Sequence, residues 1–287
     1  MKNIPIRNIN AKSEKTNLPE SFSIRDVRNL LAGKDMVQEL HRHDYFYILA
    51  LKKGTGRHEI DFTSHRIRDH SVFFMRPGQV HQLRLKAASA GFLMQFKADF
   101  YYSVDKASAK LLRRASQKNV CPLDAKKFRR LLSILGYIYQ EYTNKQDGYQ
   151  EIIKANLGIF FIELLRHRQD HKSPSDNVNT YLAERLEAFL ELLELPGFKQ
   201  NKVSKYADML NLSTYQLNAI TRKGLGKTSS ELINEHVILE SKRYLLATSN
   251  QVNQIAYHLG YEDVSYFIRF FKKHTGYSPE AFRNNFK

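Results

Sequence analysis

The chain has 287 residues, 42% of them hydrophobic, enough for two domains that each bury a core. Its one cysteine excludes an intramolecular disulfide framework, and no apolar run approaches the ~18 residues of a membrane-spanning helix. The net charge is +16, but the residues from Tyr181 onward hold 14 Lys and Arg against 11 Asp and Glu, which leaves +13 in the first 180 residues.

Residues 1–20 are polar and read as a flexible arm, without the apolar segment of a secretory signal, so a cytoplasmic location with no membrane partner is expected. From Phe22 to about Phe100, short apolar runs are punctuated by Gly and Pro turns. Tyr45–Leu51 and Val72–Met75 are continuous, whereas His58, Ile60 and Phe62 alternate with Arg57, Glu59 and Asp61, and His81, Leu83 and Leu85 with Gln82 and Arg84. Alternation of period two with turns at this spacing predicts a small antiparallel β-barrel, with His58 pointing inward. His41-Arg42-His43, then Tyr47, then Pro77-Gly78-Gln79-Val80-His81 follow the order of the two motifs of the cupin barrel, which this part resembles. Metal-binding cupins have Glu where Tyr47 stands; without a carboxylate, three neutral imidazoles are a less favourable metal set, and none is assigned. His41, His43, Tyr47, His58 and His81 are candidate ligand-binding residues, each equally readable as a barrel-lining side chain with a satisfied hydrogen bond. Cys121, beside Pro122, reads as structural.

Between Leu123 and His167 the period changes. Phe128, Leu131, Leu132, Leu135, Ile138 and Tyr139 make one amphipathic helix, and Ile152, Ile153, Leu157, Phe160, Phe161, Leu164 and Leu165 a second, with Asn144–Gly148 between them. Whether these stripes cover the barrel, face a second copy, or both stays open. The polar stretch 167–179, with Ser173-Pro174-Ser175, reads as a linker. The expected organisation is thus an arm at 1–20, a barrel with following helices at 21–170, a linker at 171–180 and an all-α domain at 181–287.

That last part opens with an amphipathic helix over Tyr181–Leu195, stopped by Pro196-Gly197. Val203, Ala207 and Leu210 mark the next helix, and Ser213 is a plausible N-cap for Thr214–Lys223, with Leu217 and Ile220 inward and Tyr215, Asn218, Ala219 and Arg222 outward. A long helix over Ser230–Ala247 leads to a second pair. There Ile255, Ala256 and Leu259 form a stripe ended by Gly260, and Glu262 and Asp263 precede a helix in which Phe267, Phe270 and Phe271 share a face. Val264, Ser265, Ile268, Arg269, Lys272 and Lys273 are the DNA-binding candidates of that helix, most of them on its opposite face. A short helix packed by one face, with a polar and basic face free, is what a major-groove reader needs.

The segment IAYHLGYEDVSYFIRFFKKHTGYSPEAFR resembles the signature of the AraC/XylS family of bacterial transcription regulators, I-A-x-x-x-G-F-x-D-x-S-Y-F-x-x-x-F-K-K-x-x-G-x-S-P-x-x-[YF]-R. Ile255, Ala256, Gly260, Asp263, Ser265, Tyr266, Phe267, Phe271, Lys272, Lys273, Gly276, Ser278, Pro279 and Arg283 fit; Tyr261 stands where Phe is usual. The resemblance covers about 100 C-terminal residues firmly, the rest loosely. It implies a two-domain α+β protein: a cupin-like antiparallel barrel with following helices that senses a small effector without metal, then an all-α double helix-turn-helix domain. It further implies binding to double-stranded promoter or operator DNA, a homodimer joined through the helices after the barrel, RNA polymerase as a partner if the protein activates, and no cofactor or catalytic residue. Ala219 stands where many members have a long polar reader and Thr221 where they have Phe, so the second unit should carry more of the specificity. Arg42, Arg57, Arg66, Arg68 and Arg84, on or beside predicted strands, suggest an anionic effector. Strand parity opposes this for Arg57 and Arg84, whose charge would then serve solubility or attraction to DNA. Two other readings compete: a metal-dependent cupin enzyme fused to a DNA-binding domain, and a ligand-free interaction protein.

Overall fold

A computed structural model describes residues 6–7, 9, 21–102, 106–169, 180–195 and 202–286. They fall into two compact units, one within Pro5–Ser173 and the other within Pro174–Lys287.

The first unit runs β1 (Ile6–Arg7), β2 (Phe22–Asp26), α1 (Val27–Leu31), β3 (Met36–His43), β4 (Phe46–Lys53), β5 (Gly56–Ile60), β6 (Thr63–Ile67), β7 (Ser71–Met75), β8 (Val80–Leu85), β9 (Ala90–Phe96), α2 (Ala98–Tyr101), α3 (Lys106–Ser116), β10 (Val120–Pro122), α4 (Ala125–Asn144) and α5 (Tyr149–Gln169). The strands form two five-stranded sheets, β1-β3-β8-β5-β6 and β10-β7-β4-β9-β2. Patterning explains the division. In β4 every residue from Phe46 to Leu51 is buried, and β7 is buried throughout, because that sheet has the barrel interior on one side and α4 and α5 on the other. A sheet covered on both faces reads as a continuous apolar run. In β5 and β8 inward His58, Ile60, His81, Leu83 and Leu85 alternate with more accessible Arg57, Glu59, Gln82 and Arg84, because the outer face of that sheet meets solvent.

Two expectations need correction here, and one helix was not expected. Phe62 does not continue the inward set: Asp61 and Phe62 are the two central residues of the β5–β6 hairpin, with φ of 46° and 67°. Asp61 Oδ1 accepts from the Val80 amide, which holds this turn against the start of β8. The arm is not wholly irregular, since Ile6 and Arg7 pair in parallel with Arg42 and His43, and Ile9 is buried among Val27, Tyr45 and Phe73. The remaining residues of the arm, and 171–179 of the linker, lie outside the described residues. Finally, α3 follows no stripe noted in the sequence. Leu112 and Ala115 bury it, on a helix otherwise rich in Lys and Arg.

The second unit consists of α6 (Thr180–Glu194), α7 (Val203–Met209), α8 (Thr214–Leu225), α9 (Ser229–Ala247), α10 (Val252–His258), α11 (Val264–Thr275) and α12 (Pro279–Phe286). Capping explains most starts. Ser213 and Gln216 close a reciprocal capping box on α8, Thr228 and Glu231 another on α9, and Asp263 accepts from the Ser265 and Tyr266 amides at α11. Arg283 of α12 donates to the carbonyl of Leu245 (2.8 Å), which the last turn of α9 leaves without a helical partner, and to that of Asn250 (2.6 Å) in the loop before α10. No helix among the described residues is long and apolar enough to cross a membrane.

Candidate nucleic-acid interface and ligand site

The pairs α7–α8 and α10–α11 repeat with an offset of 50 residues in the second helix of each pair. Ser213 and Asp263 are the N-caps, Leu217 and Phe267 are buried, and both helices end at left-handed glycines, Gly226 and Gly276. A left-handed residue there satisfies a late carbonyl and turns the chain sharply. In α11, Phe267 and Phe271 are fully buried, Phe271 against Phe282, with ring centroids 5.6 Å apart. Phe270 is only half-buried, beside Tyr261 and His274. Ser265, Arg269, Lys272 and Lys273 are exposed and Val264 and Ile268 half-exposed, so these candidates present a basic face with one aliphatic side chain at its middle. Tyr266 (55% exposed) and Tyr257 (56%) are accessible as well, though sequence reasoning did not select them.

α8 is built differently. Tyr215 is 83% exposed, and Ala219 and Arg222 are exposed. Asn218 is a correction to the outward set: half-buried, its Oδ1 accepts from the Ser229 amide at 2.9 Å and ties α8 to the start of α9. Thr221, at the position of Phe271, is fully buried; its hydroxyl lies 3.2 Å from the Asn218 carbonyl and 3.3 Å from Ser229 Oγ. A Cβ added at Gly224 would lie 2.4 Å from Leu186 Cδ2, so α6 packs closely on the side of α8 where residues are small. An aromatic core in α11 thus has as its counterpart a small polar cluster and a leucine in α8.

The barrel interior brings the five ligand candidates together. His41, His43, Tyr47, His58 and His81 are each at most 2% exposed. His41 and His81 are opposed in register, with ring centroids 4.1 Å apart, and His43 stacks on Tyr45 and Tyr47. Backbone carbonyls set two tautomers. His41 Nδ1 donates to the Glu39 carbonyl (2.8 Å) and His43 Nδ1 to that of Tyr45 (2.9 Å), since a carbonyl can only accept. His58 Nε2 and His81 Nδ1 are 2.9 Å apart and share one proton, so one of these nitrogens donates and the other accepts. In neutral rings the far nitrogens then take complementary roles. His58 Nδ1 is buried with no hydrogen-bond partner among the described residues. Burial pulls the His58 pKa down to about 3, with smaller contributions from His65, His41 and His43, so the ring is neutral at ordinary pH.

These residues do not fit a metal. His58 and His81 spend a nitrogen each on one another, Tyr47 occupies the carboxylate position, and no three His, Cys, Asp or Glu among the described residues converge as ligands. Nor do the arginines enter the barrel. Arg57, Arg66, Arg68 and Arg84 are exposed, and Arg42 alternates with inward His41 and His43. Gln79 was not selected as a functional residue. Buried at 2%, it accepts from the Arg76 amide (2.7 Å) and from Asn119 Nδ2 (3.0 Å) and fixes the turn that delivers His81.

Two helix-turn-helix units, together with a barrel whose apolar interior holds a cluster of buried histidines, define a DNA-binding regulator with a sensing domain. Comparison with known proteins agrees. The family model described as an AraC-like ligand binding domain matches residues 33–157, and the helix-turn-helix domain model matches residues 206–285. The uncharacterized HTH-type transcriptional regulator YfiF of Bacillus subtilis is 23% identical over 260 residues, 86% of this chain and 79% of that protein. The HTH-type transcriptional activator RhaS of Escherichia coli O157:H7 is 24% identical over 249 residues, 85% of this chain and 86% of that one. Among solved structures, wild-type ToxT from Vibrio cholerae, bound to an unsaturated fatty acid, aligns over 94% of this chain and 97% of its own, with 17% identity and a TM-score of 0.43. The chain belongs to the AraC/XylS family of transcription regulators: it is a sequence-specific DNA-binding regulator with an N-terminal effector-sensing domain.

Proposed function

We propose that α11 carries most of the base readout, with Arg269 on a base edge, Ser265, Ile268 and Val264 beside it, and Lys272 and Lys273 on phosphates. α8 then anchors the other half-site through Tyr215 and Arg222, with Ala219 limited to an apolar contact and Asn218 acting through the α8–α9 junction. The observation that carries this reading is the contrast at equivalent positions: an exposed arginine on an aromatic-cored helix against an exposed alanine on a helix with a small polar core. Arg269→Ala should cost about 1–3 kcal/mol on the preferred operator and little on non-specific DNA, as loss of a bidentate base contact does. Lys272→Ala should weaken binding to all sequences alike and make the salt dependence shallower by about one ion. Equal losses on operator and random DNA for Arg269→Ala would count against the assignment.

The effector, in this reading, occupies the barrel and is recognised by neutral imidazoles and the Tyr47 hydroxyl. The orphan nitrogen of His58 supports this, because buried polar atoms are ordinarily satisfied. Nothing guanidinium-bearing among the five arginines considered faces that interior, which favours an uncharged, hydroxyl-bearing ligand over an acid.

The protein acts as a cytoplasmic homodimer, meets RNA polymerase if it activates, and catalyses no reaction. Its dimer surface is the free face of α5, where Ala155, Ile159 (50% exposed) and Ile162 (42%) recur at helical spacing while Ile153, Leu157, Phe160 and Phe161 cover the barrel. Ile159→Glu with Ile162→Glu should therefore give monomers in sedimentation and weaker operator binding without loss of fold. An unchanged dimer would move the interface elsewhere.

A further inference from the structure

The sheet β3-β8-β5-β6 carries on its outer face a charge feature that neither the barrel interior nor the helix-turn-helix units use. Register places Arg84 of β8 opposite Arg57 of β5, and Arg57 opposite Arg66 of β6. The inward positions of these strands are held by His58, Leu83, Leu85 and Ile67, so the three arginines share the solvent face, and all are exposed. Among the described residues none of their side chains has a hydrogen bond or an ion pair. Directly opposed cations about 5 Å apart destabilise a sheet. Glu59 lies one row along and is engaged by Gln82 Nε2 at 2.9 Å. At the start of β5 the backbone lies so close to β8 that a Cβ at Gly56 would come within 2.0 Å of the Arg84 carbonyl. Just past the strand ends, exposed Arg68 and Lys86 extend the positive edge, Lys86 paired with Asp35.

We propose that Arg57, Arg66 and Arg84 form a second DNA contact, a flat face on the barrel that binds the phosphates of duplex flanking the operator. The row spans two interstrand spacings, about 10 Å, over which one strand of B-DNA presents about three phosphates along the axis. Guanidinium groups match phosphate oxygens in planar, two-point geometry. A protein partner fits this surface poorly. Apart from Val37 at the end of the row, the face offers Gln82, Glu59 and Ser64, without the aromatic or aliphatic centre that protein interfaces need. Phosphate backbone requires no such centre. The contact also gives a use to the +13 in the first 180 residues, against +3 in the part with the recognition helices. It reads no sequence; it adds affinity and salt dependence to a site that α8 and α11 select.

The test compares full-length protein with two charge-matched triple variants. One is Arg57→Gln, Arg66→Gln, Arg84→Gln. The other removes three exposed cations on or at the end of α4, by Lys126→Gln, Arg129→Gln and Lys145→Gln. Operator binding is measured from low to moderate salt, on a short duplex and on one extended by a helical turn or more at each side. The sheet variant should lose about 2 to 3 in the slope of log K against log salt on the long duplex, and the α4 variant less than about 1. Restoring the charge as Arg57→Lys, Arg66→Lys, Arg84→Lys should recover most of the slope, and thermal melting of the glutamine variant should match or exceed wild type. Equal slopes for the two triples would mean long-range steering only, and would overturn the proposal. So would a wild-type slope in the sheet variant, or a change in self-association in place of DNA affinity, which would assign the row to a second copy of the chain.

Discussion

Phe271→Ala is expected to abolish operator binding through the fold rather than through a lost DNA contact. Phe271 is fully buried beside Phe267 and Phe282, and Phe→Ala substitutions at such sites cost about 3–5 kcal/mol through lost burial and the cavity left behind. That is a large part of the ~5–15 kcal/mol that holds a domain folded. α11 keeps Arg269 and Lys272 aimed only while its buried face is seated. The loss should therefore appear first as a lower unfolding midpoint of the C-terminal unit, and then as lost binding. Phe271→Leu should retain more of both. If Phe271→Ala left the melt unchanged while binding vanished, the ring would have a role that its burial does not account for. The equivalent change in the first unit, Thr221→Ala, removes a hydroxyl and little volume, so it should cost far less.

Acid should destabilise the barrel through His58. Its folded pKa is depressed to about 3 from 6.5 by burial, so between these values the unfolded chain holds a proton that the folded chain does not. Stability then rises with pH across this window: the contribution is complete above about pH 6.5 and is lost as pH falls toward 3. The slope is about 1.4 kcal/mol per unit, or about 2 kcal/mol by pH 5. Hydrogen exchange of the β5 and β8 amides reports it locally, and in His58→Leu the slope attributable to this group should disappear. A pH slope equal to wild type in that variant would show that another group titrates.

The fold was legible where the pattern was local. Alternation in β5 and β8 marked strands with His58 turned inward, whereas the continuous runs of β4 and β7 read as strands without showing that helices cover their outer face. Ser213 announced its helix as an N-cap, and Asp263 announced the other by its charge at the helix start, where it also proves to be the cap. What stayed hidden depends on contacts remote in sequence. Ile9 is buried only because Ile6 and Arg7 pair with a strand some 36 residues on. Asn218 sits on α8 at an angle that suits a reader, and only the folded α8–α9 junction shows its amide oxygen already taken by Ser229. The His58–His81 pair was visible as two inward residues on different strands; register alone could not say that their nitrogens meet. The arginine row was visible as charge but not as a row, because its alignment exists only in the pairing of three strands.

The central claim, that α11 reads sequence and α8 mainly anchors, is tested most directly by selecting binding sites from random duplexes with the full-length protein and with Arg269→Ala. The expected profile has one sharply specified half-site and one degenerate one, and Arg269→Ala should flatten the sharp half at a single position. A profile sharp in both halves, or one whose sharp half survives Arg269→Ala and is lost on changing Tyr215 or Arg222, would contradict it.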